Sequence, residues 1–199
     1  MRGPTWEDVS GGAGLRVTVP VTMGPDEAAR ELAPRLSALA AERATALSHG
    51  ESVGAQLGVP VVTIDGYSGA GKSTLAAAIA RLVNGWQVLH LDDWYPGWDG
   101  LAEGVDIARR IAADLREGRA SSYEAWDWDK GTTGATTRVP LVPTIIEGCG
   151  AIEAEADIAI WIADPGEDER RSRALARDGQ TYAPHWRRWA DQDLGRSIH

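Results

Sequence analysis

The sequence is poor in several features that would define a protein class. It contains one cysteine, Cys149, in 199 residues, which excludes an internal disulfide framework and fits a reducing compartment. No apolar run approaches the length that a membrane-spanning helix needs. The first ten residues, MRGPTWEDVS, lack the apolar stretch of a secretory signal. These absences predict a cytoplasmic protein that does not bind a membrane.

Positive charge is also scarce. The 29 acidic residues outnumber the 20 basic ones and give a formal net charge of −9. Proteins that bind nucleic acid usually carry a basic footprint, so a nucleic acid polymer is a poor candidate partner. Phenylalanine is absent, and the only lysines are Lys72 and Lys130. Because lysine is so rare, the position of Lys72 is informative.

After residue 58, short apolar segments alternate with helical patterns. Together with the glycine-rich segment GYSGAGKS at residues 66–73, this alternation predicts a P-loop NTPase fold of the α/β class, in which a parallel β-sheet carries helices on both faces in three layers, α/β/α. Residues 119–139 are interpreted as a long irregular stretch. The predicted strands are residues 59–64, 86–91, 142–146 and 158–162, and the predicted helices are residues 73–83, 105–117, 166–178 and 184–193.

Residues 1–58 are interpreted as an N-terminal extension with one helix. Residues 15–21 alternate apolar and polar side chains, which is typical of a short strand, and Pro20 favours a position at a sheet edge. The helix is predicted at residues 25–48. Pro34 should either kink this helix or mark its true start.

Residues 66–73, GYSGAGKS, match the phosphate-binding pattern G-x-x-x-x-G-K-[ST] between a predicted strand and a predicted helix. The glycines let successive N–H groups point at phosphate oxygens, and the helix start adds the positive end of its dipole. An incidental lysine in a glycine-rich turn is the weaker interpretation, since lysine is so rare. The predicted nucleotide-binding residues are Gly66, Ser68, Gly69, Ala70, Gly71, Lys72, Ser73 and Thr74, with the Ser73 hydroxyl also a ligand of Mg²⁺.

Acidic residues follow two other predicted strands. Asp92 and Asp93 end the strand at residues 86–91, and Glu147 ends the strand at residues 142–146. The carboxyl ends of parallel strands meet at one edge of a sheet, where ligands collect. A carboxylate beside phosphates can bind Mg²⁺ or accept a proton from an attacking hydroxyl. We interpret Asp92, ahead of Asp93, as a catalytic base and metal ligand, and Glu147 as a second metal-associated acid; solvated strand ends are the alternative.

An arginine-rich helix and an aromatic segment complete the candidate site. Arg170, Arg173 and Arg177 are spaced to share one helix face, from which they could close over a phosphoryl group. A solvated charged helix is the alternative. Residues 123–129, YEAWDWD, indicate a surface that stacks on a flat or sugar-like acceptor, and packing within the segment is an equal alternative.

In this order, the motifs resemble those of the uridine kinase and phosphoribulokinase family of P-loop kinases, over about residues 59–178. LDDWY resembles the family's acid–aromatic motif, and the WDW segment resembles its Tyr-Asp-aromatic segment. The matching segments are residues 66–74 (phosphate loop), 91–95 (LDDWY), 126–128 (WDW), 145–148 (strand ending in Glu-Gly) and 170–178 (lid helix).

The resemblance implies a kinase domain at residues 59–199, with a lid at about residues 166–180. Such an enzyme transfers the γ-phosphate of ATP, with Mg²⁺, to the hydroxyl of a small nucleoside or sugar-like acceptor. The implied roles are general base for Asp92, charge stabilisation by Lys72, Arg173 and Arg177, nucleotide contact by Arg170, and acceptor contacts by Tyr95, Trp126 and Asp127.

Three departures separate the chain from the family. The segment after Tyr95 is shorter than the acid-rich stretch that holds the ribose in uridine kinases, so the acceptor is left open. After the lid, the chain lacks the apolar strand and helix that complete the family's sheet, unless residues 15–21 cover that edge. The helix at residues 25–48 is not part of the family core. The alternatives are a P-loop ATPase or nucleotide-binding module without an acceptor, and a kinase of a pantothenate-like alcohol or a nucleoside monophosphate. A homo-oligomer is left open.

Overall fold

The computed structural model describes residues 3–8, 14–48 and 58–196. Its centre is a six-stranded sheet in the order β1-β2-β8-β3-β7-β4, and β5 and β6 form a separate hairpin. All neighbours in the large sheet pair in parallel except β1, which is antiparallel to β2. The strands are β1 (Thr5–Asp8), β2 (Leu15–Val19), β3 (Val61–Asp65), β4 (Gln87–His90), β5 (Ser121–Asp127), β6 (Thr132–Val139), β7 (Thr144–Glu147) and β8 (Ile158–Ile162).

Helices cover both faces of the large sheet, and this confirms the predicted three-layer α/β/α fold. Successive residues of a strand face opposite sides. Val62 and Ile64 of β3 therefore pack in the apolar cluster that contains α1 and α2, whereas Val61 packs in the cluster of the other face. The helices are α1 (Pro25–Ser48), α2 (Lys72–Ala80), α3 (Leu101–Arg116), α4 (Glu167–Tyr182) and α5 (Trp186–Leu194).

Strand β2 lies beside β8, where the sheet would otherwise end. Its residues pair in parallel from Leu15 with Ile158 to Val19 with Ile162. The alternative that residues 15–21 cover this edge is therefore confirmed. The expectation of an edge strand is wrong, because β1 pairs with the outer side of β2. Pro20 follows the last paired residue, so its missing N–H takes no bond from the ladder.

Helix α1 begins at Pro25 and continues through Pro34. A proline in the first helical position costs no hydrogen bond, which explains why the helix starts there. Leu32 and Leu36, one turn apart, are fully buried in the cluster that also contains Leu75 of α2. Pro34 therefore does not mark the start of the helix.

The stretch at residues 119–139 is not irregular. Strands β5 and β6 form an antiparallel hairpin in which Ser121 pairs with Val139 and Asp127 with Thr132, with one shift of register between Glu124 and Trp126. The outer strand, β6, is almost entirely exposed. The hairpin closes over the carboxyl end of β4 through the ring contact between Tyr123 and Trp94.

The N-terminal elements share their core with the rest of the chain. Arg43 of α1 forms an ion pair of 2.8 Å with Asp157, directly before β8. The division of the chain at residue 58 stays a prediction about domains. Within the described residues, no helix combines the length and apolar composition needed to cross a membrane.

Candidate active site

The neighbouring strands β3, β7 and β4 end at a cavity of about 630 Å³. The cavity is lined by Lys72 and Ser73 from the start of α2, by Asp92 and Asp93 after β4, and by Glu147 at the end of β7. The structure therefore brings the three polar motifs at the strand ends to one site.

The loop between β3 and α2 has the backbone shape of a phosphate nest. Gly69 and Gly71 have φ angles of +82° and +105°, which residues with a side chain rarely adopt. A Cβ atom on Gly69 would also lie 2.2 Å from the carbonyl oxygen of Arg170. Helix α2 begins at Lys72, and the N–H groups of a first helical turn have no acceptor within the helix. These groups and the helix dipole make the loop suitable for an anion.

Three other N–H groups of this loop already donate to protein acceptors at 2.6 to 2.9 Å: Gly66 to Asp65, Ser68 to Asp193, and Ala70 to the carbonyl of Tyr67. These bonds fix the shape of the loop. The main-chain donors left to face a phosphate are those of Gly69 and residues 71–74. Direct nucleotide contact by Gly66, Ser68 and Ala70 stays a prediction.

Lys72 is a buried cation at the entrance of α2. Its ammonium donates to the carbonyl of Gly66 at 2.8 Å and lies 3.2 Å from the sulfur of Cys149. Burial alone would lower the Lys72 pKa, but Cys149 and the nearby carboxylates, including Asp193 and Glu147, outweigh burial and hold it above its ordinary value. The side chain is therefore charged at neutral pH, as phosphate binding requires.

Glu147 is held ionised although it is only 3% exposed. Burial would raise its pKa, but a hydrogen bond with His90 and the charge of Lys72 lower it below the ordinary glutamate value. The carboxylate oxygen lies 2.5 Å from Nδ1 of His90, and the same bond raises the pKa of His90. Glu147 is thus a fixed negative charge at the floor of the cavity.

Asp92 lies in a short 3₁₀ turn that follows β4. Many protein atoms lie around the Asp92 carboxyl group, although the residue is exposed to solvent in the cavity. This enclosure, together with the charge of Glu147, raises the Asp92 pKa. The Trp128 indole donates to the Asp92 carbonyl at 2.8 Å and so fixes the turn. A carboxylate with increased proton affinity suits a general base.

Ser73, Asp92 and Glu147, whose side-chain oxygen atoms could bind a metal ion, all line the cavity. Mg²⁺ prefers oxygen ligands and is usually bound through one or two carboxylates, several waters and the phosphates of a substrate. Across residues 3–8, 14–48 and 58–196, no group of three or more His, Cys, Asp or Glu side chains could hold a metal ion alone. This donor set fits Mg²⁺ that arrives with a nucleotide, and the metal-ligand roles stay predictions.

The three predicted lid arginines lie in different surroundings, although all belong to α4. Arg177 lines the cavity, and its bidentate pair with Asp178 raises its pKa. Arg173 lines a second cavity, of about 380 Å³. Arg170 is buried against the phosphate loop and pairs with Asp164 at 2.8 Å. Only Arg177 of the three reaches the cavity that contains Asp92.

Aromatic side chains form one wall of the cavity. Tyr95 is fixed by its hydroxyl, which donates to the Cys149 carbonyl at 2.6 Å, and by an edge contact with Trp189. The Trp98 ring centre lies 4.7 Å from that of Trp128. Tyr95 lines the cavity, and its contact with an acceptor stays a prediction.

Trp126 and Asp127, the other predicted acceptor contacts, are not among the residues that line this cavity. Asp127 forms an ion pair with Lys130 across the turn of the hairpin. The next residue, Trp128, does line the cavity. Sequence reasoning treated the WDW segment as one motif and missed that the strand ends within it, at Asp127.

Sequence reasoning also missed a buried network behind the phosphate loop. Arg196 donates to Asp65 at 2.7 Å and to Asp193 at 2.6 Å, and the side chains of all three are at most 6% exposed. Asp193 in turn accepts the Ser68 N–H at 2.8 Å. An acid and an arginine three residues apart are typical of an exposed helix end, so the sequence carries no signal for this network.

No family model and no curated protein match this chain. Solved structures do match. One, described as a "putative fructose transport system kinase" from Silicibacter sp. TM1040, is 20% identical, covers 76% of this chain and 86% of its own, and has a TM-score of 0.48. Another, described as a "possible uridine kinase" from Bacillus stearothermophilus, is 16% identical, covers 77% and 91%, and has a TM-score of 0.38. These similarities assign no substrate to this chain.

Proposed function

We propose that this protein is an ATP- and Mg²⁺-dependent kinase that phosphorylates a hydroxyl group of a small molecule. One observation carries the proposal: Lys72, Asp92 and Glu147 line the same cavity at the first turn of α2. A phosphate nest alone would serve any nucleotide-binding protein. A carboxylate of raised pKa beside that nest adds the group that an alcohol acceptor needs.

The proposed reaction assigns one task to each side chain. The main-chain donors of Gly69 and residues 71–74 hold the β- and γ-phosphates. Asp92 accepts the proton of the acceptor hydroxyl as its oxygen attacks the γ-phosphorus and ADP leaves. Lys72 and Arg177 stabilise the charge of the transferring group. Ser73 and Glu147 would hold Mg²⁺, which neutralises phosphate charge when it is bound.

The cavity favours a neutral acceptor. Its acidic side chains, Asp92, Asp93, Glu147 and Asp178, outnumber the cations Lys72 and Arg177, and both cations are needed for phosphate. An acceptor with its own phosphate or carboxylate would be repelled. The aromatic wall offers flat surfaces on which a sugar or base can stack. We therefore place a nucleoside or sugar ahead of a nucleoside monophosphate or a pantothenate-like alcohol that carries a carboxylate.

The test is release of ADP from Mg·ATP in the presence of nucleosides, sugars, pantothenate-like alcohols and nucleoside monophosphates. We expect a neutral hydroxyl compound to stimulate release. Slow hydrolysis that no acceptor changes would favour an ATPase, and nucleotide binding without turnover would favour a binding module. Either result overturns the proposal.

Two variants test the assigned roles. Lys72→Ala should lower kcat/KM by about 10²–10³, the usual loss for a group that stabilises transition-state charge. Asp92→Asn should retain ATP binding but lower transfer by about 10²–10⁴, the usual contribution of a general base. Asp93→Asn is the matched control, because it removes a neighbouring cavity carboxylate. Near-normal turnover by Asp92→Asn would refute the base assignment.

A further inference from the structure

The turn that carries Asp92 is short, and its main-chain hydrogen bonds meet at one atom. The N–H groups of Trp94 and Tyr95 both donate to the carbonyl of Leu91, at 3.0 and 3.1 Å. This 3₁₀ turn has three residues, so the carbonyls that follow Leu91 lie beyond its bonds. The carbonyl of Asp92 takes its donor from another part of the chain.

The donor is the indole of Trp128, at the tip of the hairpin formed by β5 and β6. Its Nε1–H lies 2.8 Å from the carbonyl oxygen of Asp92, a residue 36 positions away in the sequence. The carbonyl and the side chain of Asp92 belong to the same residue, so a bond that fixes the carbonyl also limits where the carboxyl group can lie. A general base must come within about 2.6–3.2 Å of the group that it deprotonates.

Asp127 shapes the tip of the hairpin around Trp128. Its carboxylate accepts the N–H of Lys130 at 3.0 Å and pairs with the Lys130 ammonium at 2.6 Å. Its carbonyl accepts the N–H of Gly131 at 2.7 Å. These three bonds define the path of residues 128–131, and the indole therefore projects from a fixed turn.

The strand that carries this tip is bound to the rest of the protein. Arg110 of α3 donates to the carbonyl of Ser122 in β5 at 2.8 Å. At the other end of the strand, the Trp128 ring packs against Trp98, with 4.7 Å between the ring centres. Trp128 is thus held by its own hairpin and by the aromatic wall, and it can support the turn that carries Asp92.

We propose that Trp128 is a positioning residue for Asp92, and that the tip built by Asp127 and Lys130 holds the indole N–H against the Asp92 carbonyl. This inference rests on the proposed function, because it requires Asp92 to act as the base. The role is separate from contact with an acceptor, since any aromatic ring can stack, whereas holding the carbonyl requires the N–H. It also gives Asp127 a task outside the cavity.

NMR of the indole N–H groups on the whole chain tests the bond without any substrate. Trp128→Phe removes one of the nine tryptophans and so assigns the Trp128 signal. In the wild type this N–H should exchange with deuterium about tenfold more slowly, or slower still, than the N–H of free tryptophan. Exchange at the rate of free tryptophan would overturn the inference.

Turnover is measured as release of ADP from Mg·ATP with the nucleoside or sugar that stimulates the wild type most. Trp128→Phe retains a ring at the cavity wall but removes the N–H. It should lower kcat by about 3–10-fold, the equivalent of one hydrogen bond, and leave the KM for the acceptor within about twofold of the wild-type value. An unchanged kcat, or a rise in KM alone, would contradict the assigned role.

Trp6→Phe is the matched control. It makes the same chemical change in β1, which lies at the opposite edge of the sheet from β4, and it should retain the wild-type kcat. Asp127→Ala tests the tip: it should lower kcat, and combining it with Trp128→Phe should cost less than about twofold more, because both act on one bond. A wild-type kcat in folded Asp127→Ala would overturn the role of the tip.

A double variant decides whether Trp128 acts through the base. Asp92→Asn retains the carbonyl but removes the base, so adding Trp128→Phe should lower the residual turnover by less than about twofold. Full additivity of the two losses would overturn the inference, because Trp128 would then act independently of Asp92. Thermal unfolding of each variant identifies any that fails to fold, and the exchange measurement on the wild type needs no variant to be active.

Failure of this inference can be told apart from failure of the proposed function. If no acceptor stimulates release of ADP by the wild type, the proposed function is wrong and this inference falls with it. If the wild type is a kinase and Trp128→Phe has the same kcat, the proposed function stands and the positioning role is wrong.

Discussion

Asp193→Ala should destabilise the protein strongly, because Asp193 ties the last helix to the phosphate loop. The carboxylate is 1% exposed. One oxygen accepts the Ser68 N–H at 2.8 Å, and the other accepts from Arg196 at 2.6 Å. The substitution removes both acceptor oxygens and leaves the Ser68 N–H and the Arg196 guanidinium buried without them.

The expected loss follows from the burial of this network. Removing one partner of a buried ion pair costs about 3–5 kcal/mol, since the other charge stays buried. Arg196 keeps its bond to Asp65, so we expect the lower half of that range. Asp193→Asn retains an oxygen that can accept from Ser68, and we expect it to cost about 1–3 kcal/mol. Both values are large against a total stability of about 5–15 kcal/mol.

Urea unfolding followed by tryptophan fluorescence measures these losses, and the KM for ATP reports the shape of the loop. Asp99→Ala is the control, because it breaks an ion pair with Arg188 of α5, the helix that also contains Asp193. The side chains of Arg188 and Asp99 are 52% and 66% exposed. Exposed pairs are worth about 0–1 kcal/mol. The reasoning fails if Asp193→Ala costs no more than Asp99→Ala, or if the folded Asp193→Ala protein has the KM for ATP of the wild type.

Three further predictions use other groups. The Asp92 pKa is raised above 3.8 in the fold, so kcat/KM should fall as the pH decreases through that raised value. Because the ionised carboxylate is disfavoured in the fold at pH 7, Asp92→Asn should equal or exceed the wild type in free energy of unfolding; a loss of stability would contradict this. Burial raises the pKa of the Cys149 thiol to about 12, so iodoacetamide should label it slowly at pH 7 until urea unfolds the chain.

The sequence predicts the centre of the fold because its local signals agree with one another. Residues 66–73 need a strand before them and a helix after them, and β3 and α2 lie there. Glu147 ends β7, which neighbours β3 in the sheet, and Asp92 follows β4, which lies on the other side of β7. The phosphate-loop motif requires a strand before it and a helix after it, so it predicts where the end of the sheet lies. The loop and both acids could therefore be found from the sequence.

The hairpin of β5 and β6 was missed although its signal is present. Residues 132–139, TTGATTRV, are rich in threonine, a β-branched residue that favours strands. They follow Gly131, whose φ of +62° closes the turn. Seven of the eight residues of β6 are exposed, and the strand presents no apolar face to a core. Periodicity of apolar residues therefore could not detect it, whereas propensity could.

Other features depend on tertiary contacts that no local pattern encodes. The helical spacing of Arg170 and Arg177 predicts a shared face, but α4 packs so closely on the loop that the carbonyl of Arg170 excludes a side chain at Gly69. Arg170 is consequently buried and paired with Asp164, whereas Arg177, two turns further on, reaches the cavity. The crossing of the helix over the loop, and not the spacing, decides which arginine can contact a phosphate.

The position of β2 shows why chain order is a poor guide to the limits of this site. A parallel strand requires only a partner with unpaired N–H and C=O groups, and the outer side of β8 supplies them. Pairing with β8 brings the turn after β2 to the same sheet edge as Ala163 and the phosphate loop. Ile160, the partner of Val17 in this pairing, is fully buried in the cluster that contains α1 and α2. Residues before the phosphate loop therefore complete both the sheet and the second cavity, although the motifs that identify the site begin only after residue 58.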